Sequence, residues 1–428
     1  MSLLNLISLV GLIVFGFTAW VLGGFRRPVA WSTVLGSGLL MLALGSLIFL
    51  FPPTRSALAG LNDLVVAVLG ASRAGAIFLF GPLGLNPGET VPTGETSIGL
   101  ILAVQVFPAV IFFSSLMAVL YHLGLIQPVV LAFARLFKRS LKLSGAESLA
   151  ASLNIFFGIE SAIAVRPYLE GMTRSELLTL LTCCMCTVAS TVLPVYVSFL
   201  ENTFPQVAGH LMCASVLSVP AAAAVSKLML PETGEPETLG SLPPMDRAGR
   251  SDNTFAALAS GAWEGLKLVA GIAALLIAVL GVVALLNLIL GKLASPLQGW
   301  LRGDPLSLEG LFGWLFLPPA FLLGLDPADI RVAGQLLGKR VILTEVVAYQ
   351  ELGRLAAAHV VSQRGILVLT YALCGFTHVA SLGIFVGGIA AMAPSRRNDL
   401  TALAFRALAA ATLACLMTGA VAGLFYTT

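Results

Sequence analysis

The chain has 428 residues, of which only 24 are basic and 21 acidic, so 11% are charged while 58% are hydrophobic. Soluble domains carry about 25% charged residues, and this deficit excludes a soluble enzyme, a disordered chain and a nucleic-acid-binding protein, because so few charges cannot build a water-facing surface. At about 20 apolar residues per crossing, the length accommodates roughly eight to twelve membrane helices, and the lack of alternating ten-residue segments argues against a β-barrel.

In chain order, apolar runs near 3–24, 28–51, 97–123, 175–200, 205–229, 262–291, 364–392 and 399–426 predict eight crossings. The first run lacks a basic n-region and a small-residue cleavage site, and reads as a retained helix. Residues 52–96 are expected as an external loop carrying Arg55 and Arg73. Residues 124–142, with Arg135, Lys138, Arg139 and Lys142 beside apolar positions, predict a helix lying in the interface. A second such helix is expected around 295–324. Two apolar stretches, 144–165 and 331–352, are each interrupted by glycine and an acid; they read as re-entrant hairpins, since irregular backbone at membrane depth must be buried in protein or line a cavity. The Pro/Glu/Gly-rich stretch 230–256 divides the chain into halves.

The basic residues set orientation. Arg26 and Arg27 place the first connection inside and the N-terminus outside. Alternation then puts Arg135 to Lys142, Arg166, Arg174, Arg247, Arg250, Arg396 and Arg397 inside, with the C-terminus outside. The second half fits less well, because Arg331, Lys339, Arg340, Arg354 and Arg364 fall on the outer side.

The halves echo each other. A hairpin containing Glu160 precedes a helix with Thr187-Val188-Ala189-Ser190, and a hairpin containing Glu345 precedes one with His378-Val379-Ala380-Ser381. One hairpin enters from inside and the other from outside, which is the inverted repetition of secondary transporters. An ionised carboxylate at bilayer depth must meet a cation, a donor or water. Glu160 and Glu345 are therefore candidate ligands for substrate hydroxyls, an ion or a proton, although Lys339 and Arg340 offer Glu345 a structural pairing. Glu147, at the mouth of the first hairpin, is either a site residue or a helix-start acid favoured by the N-terminal dipole. The fold expected is an all-α polytopic membrane protein with about eight transmembrane helices and two opposed re-entrant hairpins. Its parts are N-terminal helices with an external loop (1–94), a scaffold helix and first transport repeat (95–230), a cytoplasmic loop (231–256), a scaffold helix with an interfacial helix (257–330), and a second transport repeat (331–428).

Catalysis finds no support: there is no HExxH or GxSxG pattern. The Cys183-Cys184-Met185-Cys186 run lacks partners at zinc-ligand spacing and reads as small residues packing in a bundle.

Several motifs, in order, resemble the concentrative nucleoside transporter family. They are Gly145-Ala-Glu-Ser148, Arg166-Pro-Tyr-Leu169 and Ala214-Ser-Val-Leu-Ser-Val-Pro220, then Glu345-Val-Val-Ala-Tyr349, Thr370-Tyr-Ala-Leu-Cys-Gly-Phe376 and Ala393-Pro-Ser-Arg-Arg397. The resemblance spans about 95–426. It implies a homotrimer in a bacterial inner membrane, with transport domains moving as elevators and nucleoside uptake driven by a cation gradient. It implies a ribose-binding acid at Glu345, a base-packing aromatic at Phe376, a ribose-side hydroxyl at Ser381 and an apolar base contact at Val192. It also implies a Na⁺ site built from the side chains of Asn154 and Thr187, with carbonyls near Phe157 and Val188.

Three departures alter the implied pocket. The family's Gly-Gln-Thr-Glu tip is Gly158-Ile159-Glu160-Ser161, in a hairpin one residue shorter. Glu160 aligns with the family's Thr counted from Asn154, or with its Glu counted back from Arg166, and Ser161 follows it in the substrate-facing tip. The Asn before the acid is Thr344, and the seventh-helix Asn is His378, so an atypical nucleoside or related polar metabolite is an alternative substrate. Na⁺ is the expected coupling ion. Proton coupling through Glu160 or His378 is the alternative.

Overall fold

The computed structural model describes residues 2–85, 97, 101–243, 252–294 and 307–427, without the side chains of Ile159, Glu160, Leu293 and Ala294. Residues 86–96 of the expected external loop, 98–100 at the start of the third run, 244–251 with Arg247 and Arg250, and 295–306 of the second interfacial helix lie outside the described residues. Every regular element described is helical. The chain is an all-α polytopic membrane protein, with seven described helices long and apolar enough to cross a bilayer.

Helices α1 (Leu3–Leu22) and α2 (Trp31–Leu50) come first. Where a loop was expected, α3 runs over Pro52–Phe80. Its glycines, Arg55, Asn62, Asp63 and Arg73 interrupt the apolar run and hide the helix, yet Asn62, Val65, Ser72 and Ala76 are buried at helical spacing. Pro52 starts it and Arg55 Nε caps α2 through Phe49 O at 2.7 Å. Only Phe51 separates the two helices, and α3 packs on α9 (Val207–Met229) and α4 (Phe107–His122) more than back along α2. The interfacial α5 (Gln127–Leu141) buries Val130, Ala134, Phe137 and Leu141 on one face.

The first hairpin consists of α6 (Gly145–Asn154) and a 3₁₀ arm over Ile159–Tyr168. The run expected as one crossing at 175–200 is two half-helices, α7 (Arg174–Cys186) and α8 (Leu193–Leu200), flanking an extended Thr187. After α9 come α10 (Thr254–Ala294), then α11 (Leu308–Leu315) and α12 (Leu317–Leu322) in the second expected interfacial stretch. The second hairpin is α13 (Ile330–Ile342) and α14 (Glu345–Ala357). The run at 364–392 is likewise divided, into α15 (Gln363–Ala372) and α16 (Val379–Met392), before α17 (Arg397–Phe425).

The order hairpin, broken helix, long helix thus occurs twice. The second arm of each hairpin packs against the second half of the other repeat's broken helix: α14 on α8, and the 3₁₀ arm on α16. Such an exchange is what a pseudo-two-fold relation between repeats produces. The long helices α9 and α17 pack together at the centre, 89% and 83% buried over their apolar windows, whereas α10 is 11% buried and leans chiefly on α4.

Candidate functional site

The first hairpin is fixed at its root. Ser144 and Glu147 form a reciprocal capping box at the start of α6, and Thr173 and Glu176 form another at the start of α7. Glu147 Oε1 also lies 2.7 Å from Lys227 Nζ, both side chains being buried, so Glu147 is a structural acid. Lys227 additionally donates to Ser175 Oγ (3.0 Å) and lies 3.5 Å from Glu232. Thr238, in the stretch after α9, accepts from Gly145 N and Ala146 N.

At the tip, Asn154 is fully buried. One terminal atom of its amide lies 2.9 Å from Gly158 O, 3.1 Å from Phe157 O and 3.0 Å from Ser161 Oγ. With nitrogen there, the amide donates to all three and the tip closes on its own hydrogen bonds; turned the other way, Nδ2 donates to Cys184 Sγ at 3.2 Å and the amide oxygen faces the two carbonyls. Ser190 N donates to Phe156 O (3.1 Å), which ties the tip to the unwound stretch. In that stretch Thr187 Oγ1 donates to Cys183 O at 2.9 Å, leaving its lone pairs free, and Val188 O accepts from Ser215 Oγ at 3.1 Å. Val192 is buried at the entry to α8. Carboxamide, hydroxyl and carbonyl oxygens are the donor set that suits a hard cation, so these residues fit Na⁺. The Glu160 side chain lies outside the described residues.

In the second repeat Thr344 caps α14, with its Oγ1 accepting from Val347 N, and sets Glu345 at the first position of that helix. The Glu345 carboxylate is buried. Its Oε1 accepts from Tyr196 OH on α8 at 3.1 Å. Its Oε2 lies 3.2 Å from His378 Nε2, off the line of a good hydrogen bond, and has no hydrogen-bond partner. His378 Nδ1 accepts from Ser381 N (3.1 Å) and so caps α16. With Nδ1 accepting, the ring proton belongs on Nε2, towards Glu345. Ser381 Oγ donates to His378 O at 2.6 Å, and Phe376 packs on Phe385 with ring centroids 6.0 Å apart.

The expected residues therefore form two groups. Asn154, Phe157 and Ser161 gather at the first hairpin's tip, joined to the break holding Thr187, Val188 and Val192. Glu345, His378 and Ser381 gather at the second, with Phe376 in the adjoining break. Tyr196, which sequence reasoning missed, bridges the groups; a tyrosine inside an apolar half-helix signals a buried hydroxyl that needs a partner. The expected pairing of Glu345 with Lys339 or Arg340 does not form: Lys339 lies 3.8 Å from Glu351, and Arg340 Nη1 donates to Ala372 O.

Comparison with known proteins matches residues 10–83 and 210–423 to the N- and C-terminal parts of the Na⁺-dependent nucleoside transporters, and 103–203 to a nucleoside-recognition gate domain. An uncharacterized transporter of Haemophilus influenzae is 35% identical over 99% of this chain and 98% of its own length. Mouse solute carrier family 28 member 3 is 36% identical, and this chain spans 59% of its length. Mouse sodium/nucleoside cotransporter 1 is 34% identical, with 64% of its length spanned. Among solved structures, CNTnw in an inward-facing substrate-bound state superposes with a TM-score of 0.86 at 33% identity, covering 99% of this chain and 98% of that one. A CNTnw variant in an outward-facing state gives 0.87 at the same identity and coverage.

Proposed function

We propose a function on one premise: this chain belongs to the family of Na⁺-dependent, concentrative nucleoside transporters. It is a membrane transporter and not an enzyme. Our reading is that it imports nucleosides by symport with Na⁺, as a homotrimer in a bacterial inner membrane, each transport body moving as an elevator. The observation that carries the substrate reading is the buried Glu345 carboxylate, with Oε1 held by Tyr196 and Oε2 3.2 Å from His378 Nε2 but short of a well-aligned hydrogen bond. A ribose hydroxyl donating to Oε2 would make the charge-assisted bond that this oxygen lacks. In this reading Phe376 and Val192 flank the base, Ser161 faces it from the first hairpin, and Ser381 and His378 border the sugar.

Na⁺ is supported by the types of oxygen donor gathered here: the Asn154 carboxamide, the Ser161 and Thr187 hydroxyls, and the Phe157 and Val188 carbonyls. When bound, the cation would neutralise these acceptors and fix the tip against the break. Uptake of radiolabelled uridine and adenosine into proteoliposomes tests both points. Uptake that follows an inward Na⁺ gradient is expected; uptake indifferent to Na⁺ but driven by an inward proton gradient would sink the Na⁺ reading.

A further inference from the structure

The two broken helices end back to back. Cys415 on α17 donates through Sγ to Cys374 O (2.7 Å), just beyond α15, and lies 3.7 Å from Cys186 O, the last residue of α7. Gly375 seats the two ends against each other: its φ is +136°, and a Cβ there would fall 2.9 Å from Met185 O. Each helix C-terminus carries roughly half a negative charge. Two of them meeting where water cannot solvate them call for a positive charge at each.

At the end of α7 that charge is the Na⁺ of the reading above, gathered by Asn154 from the first arm of its hairpin. The end of α15 is served differently. Arg340 also comes from the first arm of a hairpin, α13, and its Nη1 donates to Ala372 O, the last carbonyl of α15. Its side chain is 0% exposed, and Nε and Nη2 have no hydrogen-bond partner. Among the described residues, no carboxylate lies within ion-pair distance of it. A buried arginine kept for structure is ordinarily paired; this one faces a helix end.

We propose that Arg340 is a tethered cation: in the second repeat it takes the place that the coupling Na⁺ takes in the first, leaving the transporter one exchangeable cation. The proposal rests on the Na⁺ reading, and the stoichiometry separates the two. In proteoliposomes carrying the full chain, the ratio of radiolabelled Na⁺ to nucleoside taken up should be about one. A ratio of two overturns the tethered cation alone, whereas zero overturns the Na⁺ reading and this proposal with it. In thermal-shift titrations of purified protein, Arg340→Gln should weaken uridine binding at low Na⁺ by at least about tenfold. High Na⁺ should restore binding along a steeper Na⁺ dependence than the wild type shows, as a second cation enters. Arg340→Lys should keep the wild-type slope. A folded Arg340→Gln with wild-type affinity and slope contradicts the proposal. So does a folded Arg340→Lys as impaired as the glutamine variant, because the guanidinium's shape would then matter rather than its charge. Should Arg340→Gln not fold, the lysine variant and the wild-type ratio still decide.

Discussion

Glu345 binds Tyr196 through one oxygen and faces His378 Nε2 with the other, and that difference makes its role measurable. Glu345→Gln keeps the shape but removes the charge that strengthens a hydroxyl bond, so uridine binding by thermal shift should disappear; unchanged affinity would remove Glu345 from the site. Tyr196→Phe deletes only the bond to Oε1 and leaves the ring stacked on Tyr349 at 4.6 Å. A hydrogen bond to a charged group contributes about 1.5–3 kcal/mol, so affinity should fall roughly ten- to a hundredfold while folding is kept. Loss of expression instead would make Tyr196 a packing residue. Lys227 illustrates the opposite case. Removing it with Lys227→Met strands the buried Glu147, at about 3–5 kcal/mol, and the melting temperature should drop sharply without ligand. Adding Glu147→Gln should recover part of that loss, and a double variant no better than the single would contradict the pairing. Residue-scale chemistry was only half legible in the sequence. Glu345 stood out because apolar neighbours isolate an acid. Arg340 and Arg364 passed as outer-loop charges that spoiled the positive-inside pattern, yet both are buried, Arg364 donating to Asn5 Oδ1, Gly324 O and Gly423 O. Burial of a cation depends on carbonyls supplied by distant helix ends, which no local pattern displays.

Elements were legible where a single helix carries an unbroken apolar run. The two hairpins were found because glycine and acid interrupt such runs. The breaks at 187–192 and 373–378 were not derivable from hydropathy, since Val188, Ala189, Leu373 and Phe376 are as apolar as a helix interior; the break is imposed by tertiary contacts. Gly375 shows how. Its positive φ and its approach to Met185 O and Cys415 Sγ (2.9 and 2.7 Å from a Cβ) need a residue without a side chain. Gly375→Ala should therefore displace the end of α15 from α7, lowering thermal stability and Na⁺-dependent binding together. A variant of wild-type stability would show that the two ends do not need this contact. The helix α3 escaped notice for the converse reason: its polar residues are spaced around a helix whose apolar face is narrow, and composition alone reads that as a loop.

At the scale of the molecule, two bodies differ in how they are held. Helices α1 and α2 together with α7 and α15 surround α9 and α17, whereas α10 has α4 as its main support. With 41 residues, α10 is about 60 Å long at 1.5 Å per residue, twice the roughly 30 Å of hydrocarbon it crosses. Glu264 and Lys267, in its N-terminal third, form an exposed ion pair at 2.7 Å. The apolar remainder exposes Ile277, Val282, Leu285 and Leu288. An elevator requires a frame that resists the motion of the body it carries, and a pair of helices in fluid lipid is a weak frame. Three copies joined through α10 and α4 would supply a rigid one, which is the physical case for the proposed trimer. Native mass spectrometry of the protein released from nanodiscs should then give the mass of three chains. Leu285→Lys, placed on the exposed α10 face, should shift that mass towards single chains and slow uptake while uridine still stabilises each protomer. Single chains from the wild type, with full uptake, would remove the trimer from the mechanism and leave the transport site within one chain untouched.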